Sequence, residues 1–316
     1  MVQDVKRRFG SFYAVKGLSF SVRQGQIFGL LGANGAGKST TFRMLCGLLP
    51  ASEGTLRVAG KDLRTAAAQA RGRIGYMAQK FSLYTDLTVD ENLAFFSSAY
   101  GLTGRTQRER IAWAKREFEL SAEASTTSGS LPLGFKQRLA LAASLMHGPE
   151  ILFLDEPTKG LDPRGRIEMR SLLQRLSEMG KTVLVSSHIL PELATVADRV
   201  GIIENGRLLA CGSVSEIMEQ IRPNRLIQMR SLSDEDDVIE VANELVEQNS
   251  IFQPELVEDV LQFEVSGDDS LLASVLTYFV NRGIKVAWYQ EQEADLEEAF
   301  MKVTDSSVAP GTRRDA

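Results

Sequence analysis

The 316-residue chain holds two cysteines, two histidines, two tryptophans and nine prolines. Cys46 and Cys211 lie far apart in apolar or glycine-flanked surroundings. They offer neither metal-ligand spacing nor a disulfide framework, and a reducing compartment fits. No apolar run approaches the roughly 18 to 20 residues needed to span a bilayer, and the opening MVQDVKRRFG has no signal-peptide core, so the chain is expected to stay in the cytosol. Basic residues are not in excess: 36 Lys and Arg against 41 Asp and Glu leave a formal net charge of -5. That balance removes the broad positive field behind non-specific nucleic-acid binding, and no nucleic-acid partner is expected. With 43% hydrophobic and 24% charged residues, the chain has material for one large domain and a smaller one, each with its own core.

Residues 12 to 32 contain two β-rich stretches, AVKGLSFSV and QIFGLLG, divided by a polar RQG turn; the pattern predicts an antiparallel entry hairpin with a buried second strand. GANGAGKSTT follows at once, then FRMLCGLL with helical spacing, then Pro50 and Gly54, then strand-like TLRVAG. From about 86 to 147 the chain is rich in Ala, Leu, Glu and Arg at helical spacing, which predicts a helical subdomain. ILFLDEP (151–157) and TVLVSSH (182–188) are continuous apolar runs with a polar helix between them, the mark of parallel strands covered on both faces. The expected fold class is therefore an α/β core with a helical insert, in a first domain over residues 1–218. Residues 222–305 read as β-α-β-β-α-β, the order of a small α+β ferredoxin-like domain, with Trp288 and Tyr289 in its core, ADLEEAFMKVT as a capping helix and 306–316 as a disordered tail.

Gly32-Ala33-Asn34-Gly35-Ala36-Gly37-Lys38-Ser39 matches the G-x-x-x-x-G-K-[ST] phosphate loop, with a strand before it and a helix after it, and Thr40 is expected to bind nucleotide with it. Its glycines let backbone N–H groups wrap phosphates, Lys38 reaches the β and γ phosphates, and the Ser39 hydroxyl can ligate magnesium. The strand ILFLD places Asp155 at its carboxyl end, where a magnesium ion would sit, and Glu156 can polarise an attacking water. The substrate implied is ATP with Mg2+.

Together these residues resemble the nucleotide-binding subunit of ATP-binding-cassette (ABC) transporters over about residues 2 to 215. The resemblance implies a P-loop NTPase cassette: a RecA-like α/β core with an antiparallel β subdomain and a helical subdomain. It also implies roles. Gln79 in GYMAQKFSLY matches the Q-loop glutamine that helps ligate magnesium, His188 the switch histidine at the γ-phosphate, and Phe9 the aromatic that stacks on adenine. KGLD (159–162) matches the D-loop with Asp162 in place, although Lys159 stands where the family usually has serine. His147, the other histidine, reads as a helix-end residue without an assigned role.

LPLGFKQR (131–138) stands where the family has Leu-Ser-Gly-Gly-Gln, the signature that grips the γ-phosphate of ATP on a neighbouring cassette. Leu131 and Gly134 are kept, while Pro132, Leu133 and Phe135 replace serine, glycine and glutamine. Proline lacks both hydroxyl and N–H, and leucine adds bulk where phosphate must approach bare backbone. Helix initiation survives, because proline is accepted in a first turn. The expectation is an asymmetric pair, in which this chain's own ATP is hydrolysed when an unlike cassette offers a regular signature.

GYMAQKFSLYTDLTV, LPLGFKQRLALAASLMHGPEILFLDEPT and LEEAFMKVT look like the second cassette of tandem bacterial ATPases that energise ABC-2 type exporters. That likeness implies transmembrane permease partners and a place on the inner face of the cell membrane. Only eight residues precede Phe9, so a shortened first strand and a split or truncated tandem ancestry are expected. Two other readings stand beside transport: a soluble ABC ATPase acting on ribosomes or DNA, and a regulatory cassette that senses ATP with little turnover. The transported substrate is not legible, since membrane subunits choose it.

Overall fold

The structure, a computed structural model, describes residues 1–80, 83–221 and 224–292. Packing divides the chain into two units, Met1–Val214 and Ser215 onward.

In the first unit the strands β1 (Val2–Phe9) and β2 (Phe12–Phe20) lead to β3 (Ile27–Leu31), then α1 (Lys38–Leu45), β4 (Glu53–Val58), β5 (Lys61–Asp62), α2 (Ala67–Arg71) and β6 (Ile74–Met77). Helices α3 (Val89–Ala99), α4 (Gly104–Glu117) and α5 (Leu133–Ser144) follow. The chain then alternates: β7 (Ile151–Asp155), α6 (Pro163–Glu178), β8 (Thr182–Ser187), α7 (Leu190–Ala194), β9 (Arg199–Glu204) and β10 (Arg207–Gly212).

β3, β7 and β8 bury nearly every residue, as their unbroken apolar sequences require, and they sit inside a six-stranded sheet ordered β10-β9-β3-β8-β7-β6. All its pairings are parallel except β10 with β9. Because the strands run together, their carboxyl ends gather on one edge, and the loops after β3, β7 and β8 become neighbours. β1, β2, β4 and β5 form a separate four-stranded sheet ordered β2-β1-β4-β5.

The entry hairpin differs from expectation. β2 pairs antiparallel with β1 across the turn Gly10-Ser11, Phe9 lying opposite Phe12, while β3 belongs to the parallel sheet. The burial of β2 comes in alternating patches, whereas β3 is buried at all five positions. A strand covered on both faces needs the central sheet, so the RQG turn carries the chain between sheets rather than closing a hairpin.

In the helical region α3 starts with a capping box: Thr88 Oγ1 accepts from Glu91 N at 3.2 Å and Glu91 Oε2 accepts from Thr88 N at 2.8 Å. Asn92, fully buried, donates to Tyr84 O, Leu87 O and Thr88 O and accepts from Tyr84 N. These four bonds fix residues 84–88 against the start of α3. α5 buries every residue from Gln137 to Ser144, as a nearly all-round apolar helix must.

Helix α8 (Val214–Ile221) begins at the division. The second unit then runs β11 (Arg225–Ser231), α9 (Glu235–Glu247), β12 (Phe252–Val257), β13 (Val260–Val265), α10 (Asp269–Asn281) and β14 (Val286–Glu291). Its antiparallel sheet is ordered β12-β13-β11-β14. α9 buries Val238, Val241, Ala242 and Leu245, and α10 buries Leu272, Val275 and Phe279, both at helical spacing, against Ile227, Met229 and Phe263 of the sheet. Tyr289 packs on this core and donates its hydroxyl to Leu272 O at 3.2 Å. Trp288 does not join it: it lies half-buried opposite the exposed Arg230, because successive strand residues face opposite sides. The predicted capping helix and the 306–316 tail lie outside the described residues.

Candidate functional site

The loop after β3 is held from both sides. Gly32 N donates to Ser187 O at the end of β8 (3.2 Å), and Gly206 N donates to Ala36 O (2.9 Å). No side chain fits at Gly32, whose Cβ would lie 2.3 Å from Ile203 O. Gly37, the residue before α1, has φ +109°, and its Cβ would meet Ala14 O at 2.7 Å. Glycine is therefore required at both positions. The first-turn N–H groups of α1, at Lys38, Ser39 and Thr40, have no intrahelical acceptor and carry the positive end of the helix dipole.

Lys38 is 5% exposed; its ammonium arches back to donate to Gly32 O at 2.5 Å and Ala33 O at 3.3 Å, and it stands 2.9 Å from Glu156 Oε1. Glu156, also 5% exposed, follows β7 with φ +55°, a left-handed conformation that a non-glycine residue adopts only under local constraint. Its other oxygen, Oε2, lies 2.8 Å from His188 Nδ1. One carboxylate thus joins the lysine after β3 to the histidine after β8. Ser186 fastens the same strand end: its hydroxyl donates to Asp155 Oδ1 at 2.7 Å and accepts from Glu156 N at 3.0 Å. Glu192 adds a further tie, accepting from Thr158 Oγ1 at 2.6 Å and pairing with Arg166 at 3.2 Å.

A cavity of about 510 Å³ opens over this arrangement, lined by Phe9, Phe12, Ala14, Ala33–Gly35, Gly37–Thr40, Gln79, Glu156 and Lys159. The half-exposed Phe9 and Phe12 stand at its mouth, with the Arg7 guanidinium 4.6 Å from the Phe9 ring centre. Phe12 and Lys159 were not expected here. A glycine turn between two phenylalanines was the available signal for the first, and the second was noted only as a departure in its own loop.

Asp155 is 2% exposed and forms no ion pair among the described residues; one hydroxyl bond is a thin allotment for a buried carboxylate. Burial and the nearby Asp155 charge push the Tyr76 hydroxyl up to about 12 and raise the Cys46 thiol well above its usual range, so both stay protonated at neutral pH. A buried carboxylate with one hydroxyl partner, at the end of the strand that leads into the cavity-lining Glu156, has the chemistry to take a divalent cation. No cluster of three or more His, Cys, Asp or Glu exists among the described residues, so such a cation would need oxygen ligands from a bound phosphate as well.

Pro132, Leu133, Gly134 and Asp162 do not line the cavity. Pro132, with φ -56° and ψ 154°, leads into α5, and Leu133 stays 41% exposed. Asp162 caps α6 by accepting from Gly165 N at 2.9 Å. The signature stretch and the 159–162 loop interlock: Gln137 Nε2 donates to Lys159 O at 2.9 Å, and Leu133 Cδ2 lies 3.0 Å from where a Gly160 Cβ would stand. His147 stacks on Tyr100 with 3.9 Å between ring centres and bonds Ile74 O at 2.9 Å, while its Nδ1 is buried without a partner.

A parallel sheet whose first strand runs through a glycine-rich loop into a helix defines a P-loop NTPase, here with the cassette fold. Two solved structures share it: the ATP-binding subunit of an ABC transporter, 29% identical with TM-score 0.62 over 69% of this chain and 91% of that one, and a dimeric cassette bound to ADP and Pi, 26% identical with TM-score 0.61 over 67% and 97%. The ABC transporter family matches residues 15–159. The linearmycin resistance ATP-binding protein LnrL of Bacillus subtilis is 33% identical over 306 residues, 97% of this chain and 98% of the relative. The Nod factor export ATP-binding protein I of Ralstonia nicotianae is 35% identical over 313 residues, 96% and 92%. The chain belongs to the ATP-binding proteins of ABC transporters. With the probable multidrug ABC transporter ATP-binding protein YbhF of Escherichia coli it is 50% identical over 218 residues, 69% of this chain, and that match spans only 38% of the relative's length.

Proposed function

We propose that the chain binds and hydrolyses ATP to energise an exporter whose membrane-spanning part is made by other subunits of the ABC-2 permease type. No described helix is long and apolar enough to cross a membrane. The cassette would work from the cytoplasmic face, the ring cluster of Tyr84, Phe95 and Phe96 at and before α3 offering a docking surface. The Ralstonia relative is named for Nod factor export, and the Bacillus one for linearmycin resistance. The order and strand arrangement of the second unit support reading it as a ferredoxin-like accessory domain.

The observation that carries the reading is the Lys38–Glu156–His188 chain beneath the phosphate loop. In this chemistry the loop N–H groups and Lys38 hold the β and γ phosphates, and the Phe9 ring packs on the base. Glu156 accepts the proton of an attacking water, with His188 orienting the carboxylate at the γ-phosphate. Ser39, Gln79 and Asp155 are the residues that would hold a magnesium ion, which would supply positive charge to the phosphates when bound.

The Pro132–Leu133 stretch supports a pair of unlike cassettes, because the composite site that it completes lacks a hydroxyl and an N–H donor. A missing transition-state donor costs roughly a hundredfold or more in rate. Phosphate release should be slow in the pure chain and rise when a cassette with a regular signature is added. Fast turnover by the pure homodimer would refute the unlike-pair reading. ATP binding without turnover in either setting would favour a sensing cassette.

A further inference from the structure

Lys159 belongs to the loop after β7, yet it lines the same cavity as Lys38, Gln79 and Glu156. Its backbone is fastened from both sides: its N–H donates to Glu156 O at 3.2 Å and its carbonyl accepts from Gln137 Nε2 at 2.9 Å. The following Gly160 has φ +78°, and Leu133 is already packed against the place where its side chain would go. The loop therefore has little room to draw back from the cavity. The Lys159 side chain is exposed and forms no ion pair among the described residues. Lys38 is the other basic side chain in the cavity lining, and it comes from the phosphate loop itself.

We propose that Lys159 is a nucleotide-binding residue of this chain's own site, its ammonium meeting the terminal phosphate of a triphosphate. The inference rests on the reading of the cavity as an ATP site. On that reading Phe9 and Phe12 take the base and Glu156 stands at the last phosphate, all three lining the cavity with Lys159. A cation beside Glu156 selects for the phosphate that ATP has and ADP lacks. It also offsets the carboxylate's repulsion of that phosphate.

Calorimetric titration of the full chain with magnesium-ATP and magnesium-ADP, at concentrations where light scattering finds a monomer, tests this. Lys159→Met should weaken ATP roughly fivefold and ADP less than twofold, with more than half of the loss regained in Lys159→Arg and the melting temperature unchanged. Equal losses for both nucleotides, no loss for either, or a loss seen only when chains dimerise would overturn the proposal, the last placing the lysine across the interface. The underlying site is judged separately. Wild-type protein that binds neither nucleotide, or Lys38→Ala that binds both as well as wild type does, removes the ATP site itself and the inference with it.

Discussion

Two helix starts in the first unit resemble each other as sequence and differ as chemistry. α1 begins after Gly37 in a left-handed turn, with bare backbone and first-turn N–H groups turned to a cavity. α5 begins after Pro132 with an exposed leucine in its first turn and no side-chain cap. Both are sound helices. They differ in what anion binding asks for, N–H groups that no side chain or proline ring obstructs, whereas helix initiation makes no such demand; on the proposed function only the first takes phosphate. A site and a scaffold can thus part company within one turn.

The largest expected effect breaks the intact end. Glu156→Gln should lower phosphate release a hundredfold or more, alone or with a partner cassette, while ATP binding persists; a drop of less than tenfold would remove Glu156 as the base. Next comes repair of the other end. Pro132→Ser with Leu133→Gly and Phe135→Gln should raise turnover of the pure chain roughly ten- to a hundredfold, and an unchanged rate would show that this stretch does not limit hydrolysis.

Gly160→Ala probes the interlock between the two loops. A left-handed alanine with its Cβ 3.0 Å from Leu133 Cδ2 should cost about 1–2 kcal/mol in chemical denaturation. Adding Leu133→Ala should recover part of that, and strictly additive losses would mean that the contact carries no coupling. The smallest effect is a control remote from both helix starts. Burial, aided by the Arg110 and Lys181 charges, holds the His147 pKa below its ordinary 6.5. The stabilisation from its neutral form is therefore full above pH 6.5 and is lost as the pH falls through the lowered folded value. His147→Phe should flatten the melting temperature between pH 7 and 5, and an unchanged slope would clear His147 of that role.

Local motifs were legible because their meaning is carried within a few residues. Glycines at 32, 35 and 37, the carboxylates after an apolar strand, and the alternation of helix and strand after residue 225 all declare backbone needs without a partner. The entry hairpin was misassigned because an apolar run reports that a strand is covered, not which strand covers it. β2 and β3 are adjacent in sequence, yet they lie in different sheets. Trp288 was misplaced for a related reason: hydrophobicity argued for the core, and the register opposite Arg230 put it on the other face.

The sequence by itself determined that this chain has a phosphate loop, a carboxylate pair after an apolar strand, and a Pro-Leu pair at 132–133 that starts a helix, since each depends on residue chemistry at contiguous positions. Only the tertiary structure decided that Glu156 stands between Lys38 and His188 and that Lys159 lines the same cavity as the phosphate loop. Those facts depend on three parallel strands ending at one edge, and strand order is a property of long-range packing that no local pattern records.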